Sequence, residues 1–520
     1  MEPKNQCEPN IDVSRRSFIK MAGTGLVAST IGCNGNPSGG EGWMPSQYEG
    51  NGNLPPQVRG RIPIDPRNLS ITRDDRKCIL CGQCAEVCSK VETVMYNYEL
   101  PLIDNIPCIG CGQCTLWCPT GAITETDSLS ELINALENPN KHVVVQTAPS
   151  TRVALGEEFG LPAGSNVEGR QVAALKALGF DTVLDTNFSA DLTIMEEATE
   201  LVQRITGKLN APIPQFTSCC PGWVRYCEYF YPDLLPNLSS AKSPMSMLGA
   251  MIKTYYAEKR HIDPKNIVSV AVMPCTAKKF EAGRPEMNHS GLKIGDPSIR
   301  DTDLVITTRE LAKLIKLRGL DLLKLDPTNY DNLLSEYSGA GAIFGVTGGV
   351  MEAAVRTAYA QISGEKPPAL LFNLQPVRGL AGMKEATLEI PNHGEVRVAV
   401  VAGMGNTHNV LERVQNGTGN WHFIEFMACP GGCISGGGQP RTALPPSDEV
   451  RSARINALYS VDERATIRLC HDNPEIKTVY KDYLGEPNGH LAHTLLHTHY
   501  ENYSMHLTKK EKNNKVDSGQ

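Results

Sequence analysis

Two runs of four cysteines within residues 71–130 constrain the fold of this chain more than any other feature. Each run has the spacing C-x2-C-x2-C-x3-C, and the second is followed directly by Pro119. Four soft thiolates per run suit an iron–sulfur cube, whereas zinc sites use paired CxxC motifs. A segment this short cannot bury a sizeable hydrophobic core, so bound clusters would have to hold it together.

The spacing of these runs is that of bacterial two-cluster ferredoxins, in which the fourth cysteine of each run ligates the other cluster. Ser89 stands where a Pro usually follows the first run, and every ligand is still present. We therefore predict a ferredoxin-like domain with two [4Fe–4S] clusters. One would be held by Cys78, Cys81, Cys84 and Cys118, and the other by Cys88, Cys108, Cys111 and Cys114.

Three further cysteine motifs lie far apart in the chain, within Thr217–Trp223, Met273–Glu281 and Met427–Cys433. They supply five thiols in segments that also carry Pro and Gly. Proline fixes turns, and glycine allows the backbone to approach inorganic atoms closely. Four of these thiols suit a third iron–sulfur cube, which leaves the fifth for other chemistry.

The three motifs, in this order and with these neighbours, resemble the signatures of the iron-only ([FeFe]) hydrogenases. The resemblance covers roughly residues 70–510. It implies reversible conversion of H2 into protons and electrons at a [4Fe–4S] cluster linked to a two-iron subsite, which carries CO, cyanide and a bridging dithiolate. The cluster ligands that it implies are Cys220, Cys275, Cys429 and Cys433, with Cys433 also bridging to the two-iron subsite.

The resemblance also implies a lining for the two-iron subsite. Lys278 would donate a charged hydrogen bond to a cyanide ligand, although lysines more often lie solvated on the surface. Pro149 and Ser150 match a second cyanide-contacting loop of the family. Met245 stands where several relatives have Gln, which leaves one polar contact open. The apolar part of the lining would come from Met273, Phe344 and Met427.

The fifth thiol, Cys219, is a candidate proton carrier. Cys219 is adjacent to Cys220, so the two side chains cannot easily ligate one iron, and a free thiol near a metal can exchange protons. Glu197 and Glu200 are three residues apart, on one face of a predicted helix. The resemblance implies a relay from Cys219 through Glu197 and Ser239 to Glu200, towards solvent. The alternative is a solvated helix face.

Short β-branched runs alternate with helical patterns over residues 139–445. Such runs are typical of parallel strands covered by helices. The predicted fold is multidomain, α+β and α/β: a ferredoxin-like two-[4Fe–4S] domain beside an α/β catalytic domain. The resemblance implies that this catalytic domain has two lobes whose parallel sheets flank the active-site cluster. The predicted strands are His142–Gln146, Thr182–Asp185, Ile267–Met273, Leu304–Thr307 and Val396–Val401.

The C-terminal segment, residues 446–512, contains helical patterns and resembles the separate small subunit of some periplasmic relatives, here fused to the body. Its end carries His493, His497 and His499, whose spacing could bind a metal. Packing and polar contacts are the preferred interpretation of these histidines. The last residues, 513–520, are polar and are expected to be disordered.

Residues 1–33 are predicted to be an export signal. The stretch Ser14–Lys20 fits a twin-arginine motif, with a chance arginine pair as the alternative. That pathway carries folded proteins, so maturation enzymes would insert the clusters before export to the periplasm. Cys33 is a candidate for lipidation and membrane anchoring. Residues 34–70, rich in Gly, Pro, Asn and Ser, are predicted to be a flexible linker.

Composition limits the kinds of molecule that this protein can be expected to bind. The net charge of -7 and the lack of a basic run argue against nucleic acid, and no apolar stretch reaches the ~18 residues that a transmembrane helix needs. Periplasmic placement favours H2 uptake, with electrons passing to a cytochrome c or, as the alternative, to a membrane quinone-linked complex. The rival function is a non-catalytic iron–sulfur assembly protein, which would have no use for Cys219, Lys278 or an export signal.

Overall fold

The computed structural model describes residues 60–98, 106–442 and 446–504. The predicted signal, Cys33, the linker up to residue 59 and the tail at 513–520 lie outside the described residues. The strands are β1 Ile71–Arg73, β2 Ile123–Glu125, β3 His142–Thr147, β4 Thr182–Asp185, β5 Gln215–Phe216, β6 Ile267–Met273, β7 Leu304–Thr307, β8 Met383–Ile390, β9 Gly394–Ala402 and β10 Phe423–Met427.

The α-helices of the described part surround two larger sheets and one small one. They are α1 Gln83–Glu86, α2 Gln113–Leu116, α3 Leu129–Leu136, α4 Pro149–Arg152, α5 Glu168–Ala177, α6 Thr186–Ile205, α7 Pro221–Phe230, α8 Pro244–Met251, α9 Ala257–Arg260, α10 Ala277–Ala282, α11 His289–Ile294, α12 Thr308–Leu317, α13 Gly339–Ala342, α14 Gly349–Ser363, α15 Thr407–Gln415, α16 Asp448–Arg464, α17 Pro474–Val479 and α18 His490–Leu496.

The first large sheet is fully parallel, in the order β4–β3–β6–β7. Val143 and Val145 pack into one hydrophobic core and Val144 into another, so both faces of the sheet are covered. This explains the unbroken apolar run in the sequence, because a strand covered on both faces has no solvent-facing positions. The prediction of parallel sheets is confirmed here.

The second large sheet has the order β5–β10–β9–β8, with β8 antiparallel to β9 and the other pairs parallel. The predicted strand at 396–401 lies within β9, whereas β8 was not predicted. In β8 the residues Glu385, Thr387 and Glu389 are exposed while Leu388 and Ile390 are buried. In an edge strand with one solvent-exposed face, polar and apolar residues alternate along the sequence. Such a strand lacks the continuous apolar run that marks a central parallel strand.

The carboxyl ends of four strands, β3, β5, β6 and β10, lead directly into the motif loops. Residues 148–150 follow β3, residues 217–220 follow β5, Cys275 follows β6 and Cys429 follows β10. Ligands of parallel sheets bind at this edge, since the loops after the strands converge there. The fold thus brings motifs that are far apart in sequence to neighbouring positions.

The region predicted to be ferredoxin-like, residues 71–130, contains β1, which pairs antiparallel with β2, and the short helices α1 and α2. It contacts the motif loops through Gly437, where an added Cβ would stand 2.3 Å from the Cys111 carbonyl oxygen, so only glycine fits. Ile62 is buried, and its N–H donates to the Cys84 thiol over 3.4 Å. Residues from Ile62 onward therefore pack with this region rather than belonging to the predicted linker.

The C-terminal segment lies against the body through buried charges. Arg356 of α14 donates to Glu352 in the same helix and to Asp462 of α16, and all three side chains are excluded from solvent. A buried charge is stable only when paired, so these contacts fix α16 in place. Within the described ranges, none of the helices combines the length and apolarity required to traverse a lipid bilayer.

Candidate active site

Four thiols from the three motifs meet beyond the ends of β5, β6 and β10. Burial and the neighbouring Cys220 raise the pKa of Cys275 to about 12. The pKa of Cys429 is raised well above its usual range by burial and by Cys275, Cys220 and Cys433. The backbone N–H of Ala428 donates to the Cys220 thiol over 3.3 Å. The four predicted ligands of the active-site cluster thus lie side by side in a buried site.

The chemistry of this donor set fits an iron–sulfur cluster. Thiolates crowded in an apolar site are unstable unless a bound cation compensates their charge, and coordination by a metal does so outright. Throughout the described ranges, no three or more His, Cys, Asp or Glu side chains converge closely enough to hold one metal ion. Thiols of a four-iron cube each bind a different iron and so stand further apart than the ligands of a single ion.

Two cavities in the predicted ferredoxin-like region are lined by cysteines. In both cavities three thiols from one run meet the last thiol of the other run, which is the interchange that the spacing predicts. The first cavity is lined by Cys78, Cys81, Cys84 and Cys118, and the second by Cys88, Cys108, Cys111 and Cys114.

The second cavity adjoins the active-site thiols. The pKa of Cys111 is raised by burial and, to a smaller extent, by the nearby Glu92 and Cys429, so Cys111 lies close to an active-site thiol. Thr276 Oγ1 donates to the Gly110 carbonyl over 2.6 Å, and Gln113 Nε2 donates to the Ser435 carbonyl over 2.8 Å. The loop of the second cysteine run is therefore in direct contact with the loops of the active-site motifs.

Lys278 is buried, not solvated as most lysines are. Its Nζ donates to Glu281 Oε2 over 2.7 Å and to the Cys219 carbonyl over 3.1 Å. Burial opposes its charge, but the Glu281 carboxylate outweighs this and raises the pKa of Lys278. The result is a permanent cation at the edge of the site, beside the fifth thiol.

The predicted lining residues lie at strand ends and helix starts around the thiols. Pro149 begins α4, and Ser150 Oγ donates to the Gly345 carbonyl over 3.4 Å. Phe344 precedes that glycine and is buried with Cys219 in one core cluster. Met273 and Met427 end β6 and β10 and are buried. Met245 lies in the same cluster as Met273.

The predicted relay residues lie in and beside α6. Glu197 is excluded from solvent, and burial together with Glu200 raises its pKa well above the usual range. The Cys219 thiol is buried nearby, and its pKa is raised by burial and by Glu197. Ser239 Oγ donates to Glu200 Oε2 over 2.7 Å. Glu200 is itself buried, and its Oε1 accepts from Arg204.

Three residues around the site were missed from the sequence. Glu281 holds Lys278, and Arg204 holds Glu200. Their spacings, i+3 and i+4 on a helix, are a signal that could have found both. Glu92 lines the second cavity, and neither of its buried carboxylate oxygens has a hydrogen-bond partner among the described residues. No sequence pattern marks it, because only the fold places it among thiols.

Comparison with known proteins identifies the class. Residues 141–437 match the family model of the iron only hydrogenase large subunit, C-terminal domain, and residues 448–503 match that of the iron hydrogenase small subunit. Iron hydrogenase 1 of Clostridium pasteurianum is 45% identical over 455 residues, which is 84% of this chain and 77% of that protein. The periplasmic [Fe] hydrogenase large subunit of Nitratidesulfovibrio vulgaris is 46% identical over 399 residues, 76% of this chain and 92% of the relative.

Among solved structures, a variant of apo [FeFe]-hydrogenase HydA1 from Chlamydomonas reinhardtii superposes with a TM-score of 0.64 at 44% identity. The match covers 72% of this chain and 99% of that one. A cytosolic Fe-S cluster assembly factor of Xenopus tropicalis is more distant, 31% identical over 71% of this chain and 76% of its own length.

These matches define an oxidoreductase whose fold and thiol set are those of an iron–sulfur protein. The chain belongs to the iron-only ([FeFe]) hydrogenase family. The rival hypothesis of a non-catalytic assembly protein is wrong, since the more similar relatives are hydrogenases.

Proposed function

We propose that this hydrogenase binds its active-site [4Fe–4S] cluster through Cys220, Cys275, Cys429 and Cys433, with a two-iron subsite attached at Cys433. The observation that carries the proposal is the convergence of four thiols from three separate motifs at the strand ends. When bound, the cluster and its subsite supply the centre at which protons and electrons combine into H2. The chain itself supplies ligands, donors, an apolar lining and separate paths for protons and electrons.

The proton path runs from Cys219 into helix α6. The Cys219 thiol lies beside Glu197, and burial raises the pKa of Glu197, which favours the protonated carboxyl that a proton relay needs. Glu200 lies one turn further along the helix and accepts from the Ser239 hydroxyl. Arg204 fixes the other oxygen of Glu200 and orients it towards Ser239.

Lys278 and the loop at Pro149 and Ser150 are proposed to hold the ligands of the two-iron subsite. The buried ammonium of Lys278 suits an anionic ligand such as cyanide, since a charged donor in an apolar site is strong. Met273, Phe344 and Met427 would exclude water from the same space. The buried position of all three supports this role.

The electron path is proposed to use two [4Fe–4S] clusters, one in each ferredoxin-type cavity. Cys81 is exposed, so electrons would enter or leave at the first cavity. We propose H2 uptake in the periplasm, with a cytochrome c as electron acceptor. The SRRSFIK motif and the periplasmic relative support this placement, and maturation enzymes would act before twin-arginine export.

Replacing Cys78 by Ala tests the electron path. We expect the variant to retain exchange between H2 and D2O, which needs no external electrons, while turnover with an added electron carrier falls at least about tenfold. Cys227→Ala is the matched control, since Cys227 is a buried thiol that belongs neither to the two cysteine-lined cavities nor to the four converging motif thiols. Equal loss of exchange and carrier-linked turnover, with iron missing throughout, would show that the first cluster serves folding instead.

A further inference from the structure

The second cysteine-lined cavity contains an acidic side chain, that of Glu92. Glu92 is 1% exposed, and neither of its carboxyl oxygens has a hydrogen-bond partner among the described residues. No Lys, Arg or His of the described ranges therefore neutralises it by direct contact. A buried carboxyl is normally paired or hydrogen-bonded, because leaving it bare costs free energy. The bare carboxyl points to a bonding partner that the cavity itself receives.

The backbone next to Glu92 is held in an unusual conformation. Thr93 has a φ of 50°, a left-handed value that β-branched residues rarely adopt. Its Oγ1 is 3.1 Å from the Tyr226 hydroxyl oxygen, and Asn97 Nδ2 donates to its carbonyl oxygen over 2.8 Å. Strain of this kind persists only where surrounding contacts impose it, and it concentrates at functional sites. The contacts of Thr93 thus fix the backbone from which the Glu92 side chain projects.

Glu92 lies between two groups of thiols. Burial and, to a smaller extent, Glu92 raise the pKa of Cys111, which lines the second cavity. Burial, Cys275 and Glu92 raise the pKa of Cys429, which belongs to the active-site thiols. Glu92 is therefore near one predicted ligand of each cluster, in the gap that electrons would cross on the proposed path.

The surroundings favour the neutral form of the Glu92 carboxyl. Burial raises the pKa of Glu92 well above its usual range. A cluster held by four thiolates has a net negative charge, and a nearby negative charge acts in the same direction. A neutral carboxyl has one O–H donor. Among the described residues that line the cavity, the acceptors that face it are sulfur atoms, since the side-chain amide of Gln113 is directed to the Ser435 carbonyl.

We propose that Glu92 stays a neutral carboxyl and donates its O–H to a sulfur atom of the [4Fe–4S] cluster in the second cavity, which raises the reduction potential of that cluster. The inference rests on the proposed electron path. Reduction adds negative charge to the cluster, so a hydrogen bond to sulfur stabilises the reduced form more than the oxidised form. A higher potential at this cluster favours electrons leaving the active site, which is the direction of H2 oxidation.

The test uses the full-length, anaerobically matured protein with Glu92→Gln and Glu92→Met. Glutamine keeps an N–H donor at similar reach, whereas methionine fills similar space without a donor. The reduction potential of the second-cavity cluster is measured by redox titration monitored by electron paramagnetic resonance. We expect full iron content in both variants, an unchanged potential in Glu92→Gln and a more negative potential in Glu92→Met. The ratio of H2 oxidation to H2 evolution should fall in Glu92→Met alone.

The sign of the shift separates a neutral donor from an ionised carboxylate. Removing a negative charge would raise the potential in Glu92→Gln and in Glu92→Met alike, and that result would overturn the inference. Unchanged potentials in both variants would also overturn it, because Glu92 would then have no bond to the cluster. If methionine prevents cluster binding, Glu92→Asp takes its place: it draws the O–H back by one methylene, and its potential should also become more negative.

A second measurement detects the proton itself. In protein matured in H2O and in D2O, electron–nuclear double resonance of the reduced cluster should show an exchangeable proton that Glu92→Met lacks; its persistence in Glu92→Met would overturn the inference. Glu131→Gln, which removes an exposed carboxylate of α3, is the control and should keep the wild-type potential. Absence of the second-cavity cluster from the wild-type protein would overturn the electron path together with this inference.

Discussion

Replacing Cys219 by Ser is expected to lower H2 turnover about 10²- to 10⁴-fold while leaving the iron content unchanged. The Cys219 thiol lies next to Glu197 and beside the four converging thiols, which complete a cube without it. A serine hydroxyl has almost the same shape but a pKa far above that of a thiol, so it cannot carry protons near neutral pH. Iron assay and H2 evolution on the same sample measure both quantities.

The adjacent residue provides the control for that experiment. Cys220→Ser removes one of the four converging thiols, so we expect loss of cluster iron and of activity together. If the outcomes are exchanged, with iron lost from Cys219→Ser and retained in Cys220→Ser, the two roles are reversed. Full activity in Cys219→Ser would contradict the relay through Glu197 and Ser239.

Replacing Lys278 by Met is expected to abolish activity and to lower the free energy of unfolding by about 3 to 5 kcal/mol. Both effects follow from burial. Without the ammonium, Glu281 is left as a buried carboxylate whose remaining donors include the hydroxyls of Ser243 and Ser246. The site also loses the charged donor beside Cys219. Denaturant unfolding and H2 turnover measure the two losses separately.

Lys279→Met is the matched control, because Lys279 is also buried but points away from the thiols, to Glu310 and the Val305 carbonyl. We expect a similar loss of stability in that variant, since Glu310 is also left as a buried carboxylate without its ammonium partner. Activity per folded molecule should remain near wild type. Equal loss of specific activity in both variants would mean that Lys278 acts only through stability.

The parts of this molecule that are local in sequence could be predicted. The strands β3, β4, β6 and β7 are marked by short β-branched runs. The spacing of the two cysteine runs alone predicts which four thiols line each of the two cavities. The motif thiols could be located because Pro and Gly accompany them. Glu197 and Glu200 were placed on one helix, as α6 shows.

The parts that depend on long-range packing could not be predicted. Ser240 and His497 are 257 positions apart, and only the course of the C-terminal segment brings them together. Glu92 looks like an ordinary charged residue, yet the fold buries it among cluster thiols. Glu200 was expected near solvent, whereas it is buried beneath Arg204. Whether a charged side chain is buried depends on which distant segments pack over it, and the neighbouring sequence does not reveal those segments.

Infrared spectroscopy of the anaerobically matured protein tests most directly whether this chain carries a two-iron subsite beside a cube held by the motif thiols. We expect bands of iron-bound CO and cyanide, together with about 14 iron atoms per chain, four in each of three cubes and two in the subsite. Absence of those bands in a protein with three intact cubes would contradict the proposed two-iron subsite, because the thiols would then hold clusters without a centre for hydrogen chemistry.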